Sequence, residues 1–108
     1  MTNGIPQLSV RNLKQRIDAG EKLFIVDVRE PFEYQIANIG GRLIPQNDVP
    51  SRLDEFPRDR EIIVHCRSGV RSQRIAEFLS QNGYPTVVNL AGGILAWADE
   101  IDTKMQKY

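Results

Sequence analysis

The chain has 108 residues and a mass of 12.3 kDa, the size of one domain around one core, expected to span 1–108. Its 14 Lys and Arg balance 14 Asp and Glu, so no net charge draws it to nucleic acid or an anionic membrane. Apolar residues at 41% and charged residues at 26% are a folded globule's mixture, and no apolar run is long enough to span a bilayer.

Met1-Thr2-Asn3-Gly4-Ile5-Pro6 lacks a basic stretch leading into an apolar one, so no secretory leader is expected and the cytoplasm is the expected location. The single cysteine, Cys66, excludes an internal disulfide, a CxxC redox pair and a Cys-rich zinc site. The single histidine, His65, removes the usual metal clusters, and no cofactor is expected. Chemistry, if present, centres on Cys66.

In chain order, Ile5 to Leu8 reads as a weak strand. Ser9 can cap a helix facing inward through Val10, Leu13 and Ile17 and closed by Gly20. Leu23-Phe24-Ile25-Val26 is a continuous apolar run, the mark of a strand buried on both faces. Pro31 fits the first turn of a short helix containing Phe32, Tyr34 and Ile36. Gly40-Gly41 turns into a strand at Arg42 to Ile44, and Asn47 or Asp48 opens a short helix through Leu53, with Pro50 tolerable in its first turn.

Ile62-Ile63-Val64 is a second fully apolar run. The stripe Ile75, Ala76, Phe78 and Leu79 predicts a helix ending near Asn82-Gly83, and Thr86-Val87-Val88 a further strand. Gly92-Gly93 precedes a last helix with Ile94, Trp97, Ala98 and Ile101 on one face. Strands and helices alternating in this way predict a three-layer α/β domain, a parallel sheet with helices on both faces.

Cys66 stands between an apolar strand and a helix, where open α/β sheets bind ligands. The connecting segment, Cys66-Arg67-Ser68-Gly69-Val70-Arg71, is short enough for its backbone N–H groups to converge on one anion. The following helix adds its positive end. These groups and the two arginines favour thiolate over thiol. Two adjacent strand residues point to opposite faces, so His65 is expected to be structural rather than a base for Cys66.

Asp27 and Arg29, at another strand end, are expected to form an ion pair or a hydrogen-bonded turn rather than line the site. Arg42 is expected to be solvated, and Arg74 either joins a basic patch with Arg71 or is simply surface. Gly92-Gly93 reads as a helix start in preference to a close backbone approach, and Trp97 as core.

Three segments resemble the rhodanese (sulfurtransferase) family: Ile25-Val26-Asp27-Val28-Arg29-Glu30-Pro31-Phe32-Glu33-Tyr34, His65 to Ser72, and Asn89-Leu90-Ala91-Gly92-Gly93-Ile94-Leu95-Ala96-Trp97. The resemblance implies a five-stranded parallel sheet flanked by helices. It implies that Cys66 takes a sulfane sulfur from a donor such as thiosulfate and passes it on from a persulfide. Cys66 to Arg71 matches the six-residue Cys-Arg-x-Gly-x-Arg loop. By the same resemblance, the amides of Arg67, Ser68, Gly69, Val70 and Arg71 hold the persulfide, and Arg67 and Arg71 hold the donor's sulfonate end.

The C-terminal region, from Gly93-Ile94-Leu95-Ala96-Trp97 through Ile101-Asp102 to Tyr108, is also similar to rhodanese domains joined to ubiquitin-activating-like adenylyltransferases. That similarity implies a sulfur-carrier protein or an adenylyltransferase as partner, and a sulfur relay would add a cysteine desulfurase. Two other classes compete. A phosphatase or arsenate reductase needs His-Cys-x5-Arg, and here arginine arrives one position early, at Arg71. A silent binding module typically lacks the cysteine, which this chain keeps. A non-enzymatic sulfur relay fits the same residues.

Overall fold

Ile62, Ile63 and Val64 have no solvent exposure, and each such aliphatic side chain contributes about 1.5–3 kcal/mol. Their alternation divides the core. Ile62 and Val64 join one cluster with Val26, Ile75 and Leu79, while Ile63 joins another with Val10, Leu13 and Trp97. A strand apolar on both faces therefore carries helices on both.

The structure, a computed structural model, describes residues 4–108. Met1–Asn3, where the segment read as carrying no leader begins, lie outside the described residues. In order come β1 (Gln7–Leu8), α1 (Val10–Asp18), β2 (Phe24–Asp27), α2 (Pro31–Ile36), β3 (Arg42–Leu43) and a 3₁₀ helix (Gln46–Glu55). Then follow β4 (Ile62–His65), α3 (Val70–Gln81), β5 (Val87–Leu90) and α4 (Gly93–Glu100). The five strands form one parallel sheet in the order β1-β5-β4-β2-β3. The α/β architecture expected from the sequence is the one observed.

The register pairs Asp27 with His65 and Val64 with Asn89, so β2, β4 and β5 end at one level. The β4–α3 loop emerges there. α1 and α4 pack together on one face, and α3 packs with the 3₁₀ helix on the other.

Ser9 caps α1 as expected, its Oγ accepting from the Asn12 N–H at 3.1 Å. Ile17, expected on the inner face, keeps 37% of its surface exposed in the last turn of the helix. β2 begins at Phe24 and is fully buried only at Val26 and Asp27, because its outer neighbour β3 has two residues. The short helix expected from Asn47 or Asp48 instead starts after Pro45 as a 3₁₀ helix, interrupted at Arg52. Pro50 lacks the N–H that an α-helical interior would use.

α2 is the short helix expected at Pro31, with the proline in its first turn. Phe32 is 64% exposed, and the inward-facing, buried position is taken by Glu33. A carboxylate tolerates that position because it is multiply paired, as described below.

Among the described residues no helix is long and apolar enough to cross a membrane.

Candidate active site in the β4–α3 loop

Cys66 continues β4 by one residue and belongs to the core cluster on the α3 face, opposite His65. Its Sγ accepts from the Gly69 N–H at 3.1 Å and from the Ser72 N–H at 3.4 Å. Ser72 Oγ lies 3.3 Å away. Two features bend the loop so that its amides face the sulfur.

Gly69 sits at φ +105°, a left-handed conformation that side chains other than glycine resist, and directly precedes α3. From the other side, the Ile94 and Leu95 N–H groups at the start of α4 donate to the carbonyls of Cys66 and Arg67 at 3.0 and 3.1 Å. These amides are among those a helix leaves unpaired at its first turn. By drawing the loop's carbonyls towards α4, they leave its N–H groups to point elsewhere.

Gly93 makes this contact possible. A Cβ there would lie 2.5 Å from the Cys66 carbonyl oxygen and 2.6 Å from that of Arg67. Gly92-Gly93 was expected to start a helix in preference to a close approach. It does both, because α4 begins against the loop.

Burial, with only 1% of Cys66 exposed, pushes its thiol pKa up. The Ser72 hydroxyl and the backbone N–H groups of Ser72, Gly69 and Ser68 outweigh that, leaving it below the ordinary thiol value. A thiolate held by amides is a nucleophile that can also leave again.

The two loop arginines are engaged elsewhere. Arg71 donates through Nη1 and Nη2 to both carboxylate oxygens of Glu33, at 2.8 and 2.9 Å. Tyr108 Oη donates to the same carboxylate at 2.9 Å and accepts from Arg29 Nη1 at 2.7 Å. Arg67 lies with its guanidinium carbon 5.0 Å from the Tyr108 ring centre and donates to the Tyr108 carbonyl. Beneath them Asp27 and Arg29 form the expected pair, 2.7 Å apart and wholly buried. His65 is also buried, 3.7 Å from Asp27, and burial pushes its pKa down so that it stays neutral.

Arg71, assisted by the Glu30 N–H and the Tyr108 hydroxyl against the opposing effect of burial, holds the Glu33 carboxyl at about 2, against an ordinary 4.5. A depressed pKa stabilises the fold fully above about pH 4.5 and ceases to do so as pH falls through about 2. Glu33→Gln is therefore expected to be less stable than the parent at pH 6, with the difference shrinking between pH 4.5 and 2. Urea titrations at pH 6 and pH 3 measure it, and a constant difference would exclude an ionised Glu33–Arg71 pair.

A groove of about 700 Å³ lies beside the loop, lined by Ser68, Gly69, Val70, Gln73 and Arg74 among others. Arg74 thus faces this groove while Arg71 turns to Glu33. Arg42, exposed and stacked 5.3 Å from the Phe24 ring centre, lines a separate groove with Gly40 and Gly41. Trp97 is core, as expected.

The sequence reading passed over Glu33, Ser72, Asn89 and Tyr108 as site residues. Glu33 had a signal: it stands three residues after Glu30, and its Oε1 accepts the Glu30 N–H at 2.9 Å in a helix-start box. Asn89 was legible as the one polar residue in an apolar strand. Tyr108 stood out only as the end of the C-terminal similarity, with nothing nearby in the chain to place its hydroxyl on Glu33.

Comparison with known proteins identifies the family. The Rhodanese-like domain profile matches residues 9–100, and the chain belongs to that family. A sulfurtransferase of Allochromatium vinosum is 39% identical over 95 residues, covering 87% of this chain and 89% of its own. The probable adenylyltransferase/sulfurtransferase MoeZ of Mycobacterium tuberculosis is 36% identical over 104 residues, 94% of this chain but 26% of MoeZ. The crystal structure of a rhodanese-like domain protein from Staphylococcus aureus superposes with TM-score 0.83 at 32% identity, covering 90% of this chain and 95% of that one. Family and relatives support sulfur transfer in general.

Proposed function

We propose that this chain, acting as one domain over residues 1–108, is a sulfurtransferase working through a Cys66 persulfide. The observation that carries the reading is the convergence of the Gly69 and Ser72 N–H groups on Sγ at the end of β4. In the first half-reaction the Cys66 thiolate attacks the outer sulfur of a donor such as thiosulfate. A new S–S bond forms, the old one breaks, and sulfite leaves with its electron pair. The negative outer sulfur of the persulfide then lies among the amides of Arg67, Ser68, Gly69, Val70 and Arg71.

In the second half-reaction a nucleophilic acceptor attacks that outer sulfur and the electron pair returns to Cys66 Sγ. Arg67 and Arg71 attract the sulfonate end of the donor, in exchange for part of their contacts with Tyr108 and Glu33. No metal or organic cofactor enters either step. A cysteine desulfurase persulfide serves as donor by the same chemistry, and a thiolate of a sulfur-carrier protein as the attacking acceptor. The two activities in the MoeZ name support an adenylyltransferase as partner.

Steady-state rates with thiosulfate and cyanide test the scheme. Double displacement predicts parallel double-reciprocal lines as the fixed substrate is varied. Intersecting lines would mean that both substrates bind before sulfur moves, and would exclude a free persulfide intermediate.

A further inference from the structure

We propose that Ser72 is a catalytic residue, its hydroxyl hydrogen alternating between Asn89 Oδ1 and Cys66 Sγ as negative charge leaves and returns to that sulfur. Asn89 is the positioning residue that holds Ser72 ready. The catalytic role rests on the persulfide cycle above, but the hydrogen-bond arrangement does not.

Ser72 Oγ is fully buried, 3.3 Å from Cys66 Sγ and 2.5 Å from Asn89 Oδ1. The Asn89 amide has only one sensible orientation. Its Nδ2 faces three acceptors: Gln7 Oε1 at 3.0 Å, and the Gly69 carbonyl and Gln73 Oε1 at 3.2 Å each. Oδ1 must then face Ser72, and since a carboxamide oxygen has no hydrogen, Ser72 is the donor in that short contact. A hydroxyl has one hydrogen to give, so it cannot serve Asn89 and the sulfur fully at once.

The chemistry of the sulfur decides which it serves. A Cys66 thiol can donate its own S–H to Ser72 Oγ, leaving the hydroxyl hydrogen on Asn89. When the thiol loses its proton to solvent, the anionic Sγ becomes the stronger acceptor, and the hydrogen swings to it by rotation about Cβ–Oγ. No heavy atom need move. In the persulfide the charge resides on the outer sulfur, Sγ is a weak acceptor, and the hydrogen returns to Asn89. When an acceptor takes the outer sulfur, the S–S electron pair returns to Sγ and the hydroxyl turns back to meet it. Ser72 thereby stabilises Cys66 both as nucleophile and as leaving group.

The ionisable groups near this sulfur are Arg67 and Arg71 of the loop, Glu33 of α2 bound to Arg71, Tyr108, and His65 on the opposite face of β4. β5 and the first turn of α4 bring no charged side chain. Substitution at Ser72 leaves all of these in place, so a change in thiol ionisation reports on the hydroxyl.

The test is the pH dependence of Cys66 alkylation by iodoacetamide in the parent, Ser72→Ala and Ser72→Thr proteins, with thermal unfolding as the check on folding. Ser72→Ala is expected to move the midpoint up by about one pH unit, a tenfold loss of thiolate below it. Ser72→Thr, which keeps the hydroxyl, is expected to restore the parent midpoint. This readout needs no sulfur donor, so it stands or falls apart from the transfer reaction. In protein loaded with persulfide, Ser72→Ala is further expected to release sulfur to cyanide about tenfold more slowly. An unchanged midpoint in folded Ser72→Ala, or the same rise in folded Ala and Thr variants alike, would overturn the proposal.

Discussion

Cys66→Ser is expected to keep the fold and to lose sulfur transfer by at least about 10³-fold, the usual scale for removing a covalent nucleophile. The serine oxygen can accept the same Gly69 and Ser72 amides, and it replaces a sulfur that is already packed in the core. The thermal midpoint should therefore move by only a few degrees. The chemistry cannot survive, because a serine hydroxyl is not ionised near neutral pH and offers no sulfur for an S–S bond. Sulfur transfer at the parent rate by the folded variant would remove Cys66 from the mechanism.

Gly93→Ala is expected to produce the largest loss of stability among single methyl additions, about 2–4 kcal/mol, together with loss of Cys66 reactivity. The new Cβ would sit 2.5 Å from the Cys66 carbonyl oxygen and 2.7 Å from the Arg67 carbonyl carbon, against backbone that cannot turn aside. The loop would have to part from α4 and give up the Ile94 and Leu95 hydrogen bonds that orient it.

Gly20→Ala is the control. Gly20 also has positive φ, at +81°, but nothing lies within 4 Å of its Cβ position, so it incurs only the backbone strain of about 1–2 kcal/mol. Urea unfolding of both variants separates strain from collision. Equal effects would show that the approach of α4 to the loop is not what holds it.

The fold was legible wherever a local pattern reports burial directly. Ile62 to Val64 is apolar on both faces because helices cover both, and Ser9 caps α1 through a hydrogen bond three residues away. The sulfur loop was legible for the same reason, since strand end, glycine and helix start are contiguous. α2 was legible as a helix opened by Pro31, but not its buried residue, because Glu33 is buried through partners elsewhere in the chain. Arg71 lies 38 residues from it and Tyr108 lies 75. Pairings of that range leave no periodicity to read. The same holds for the sheet order, in which β5 lies between β1 and β4. Gly92-Gly93 shows a further limit: a helix start is a local event, and what the helix start touches is not.

The intact mass of the protein after incubation with thiosulfate, before and after a reducing thiol, tests the central claim most directly. The account predicts a gain of one sulfur atom that the thiol removes and that Cys66→Ser never acquires. A protein that gains no sulfur from thiosulfate or from a small-molecule persulfide, or that gains it equally without Cys66, would contradict a persulfide held in this loop.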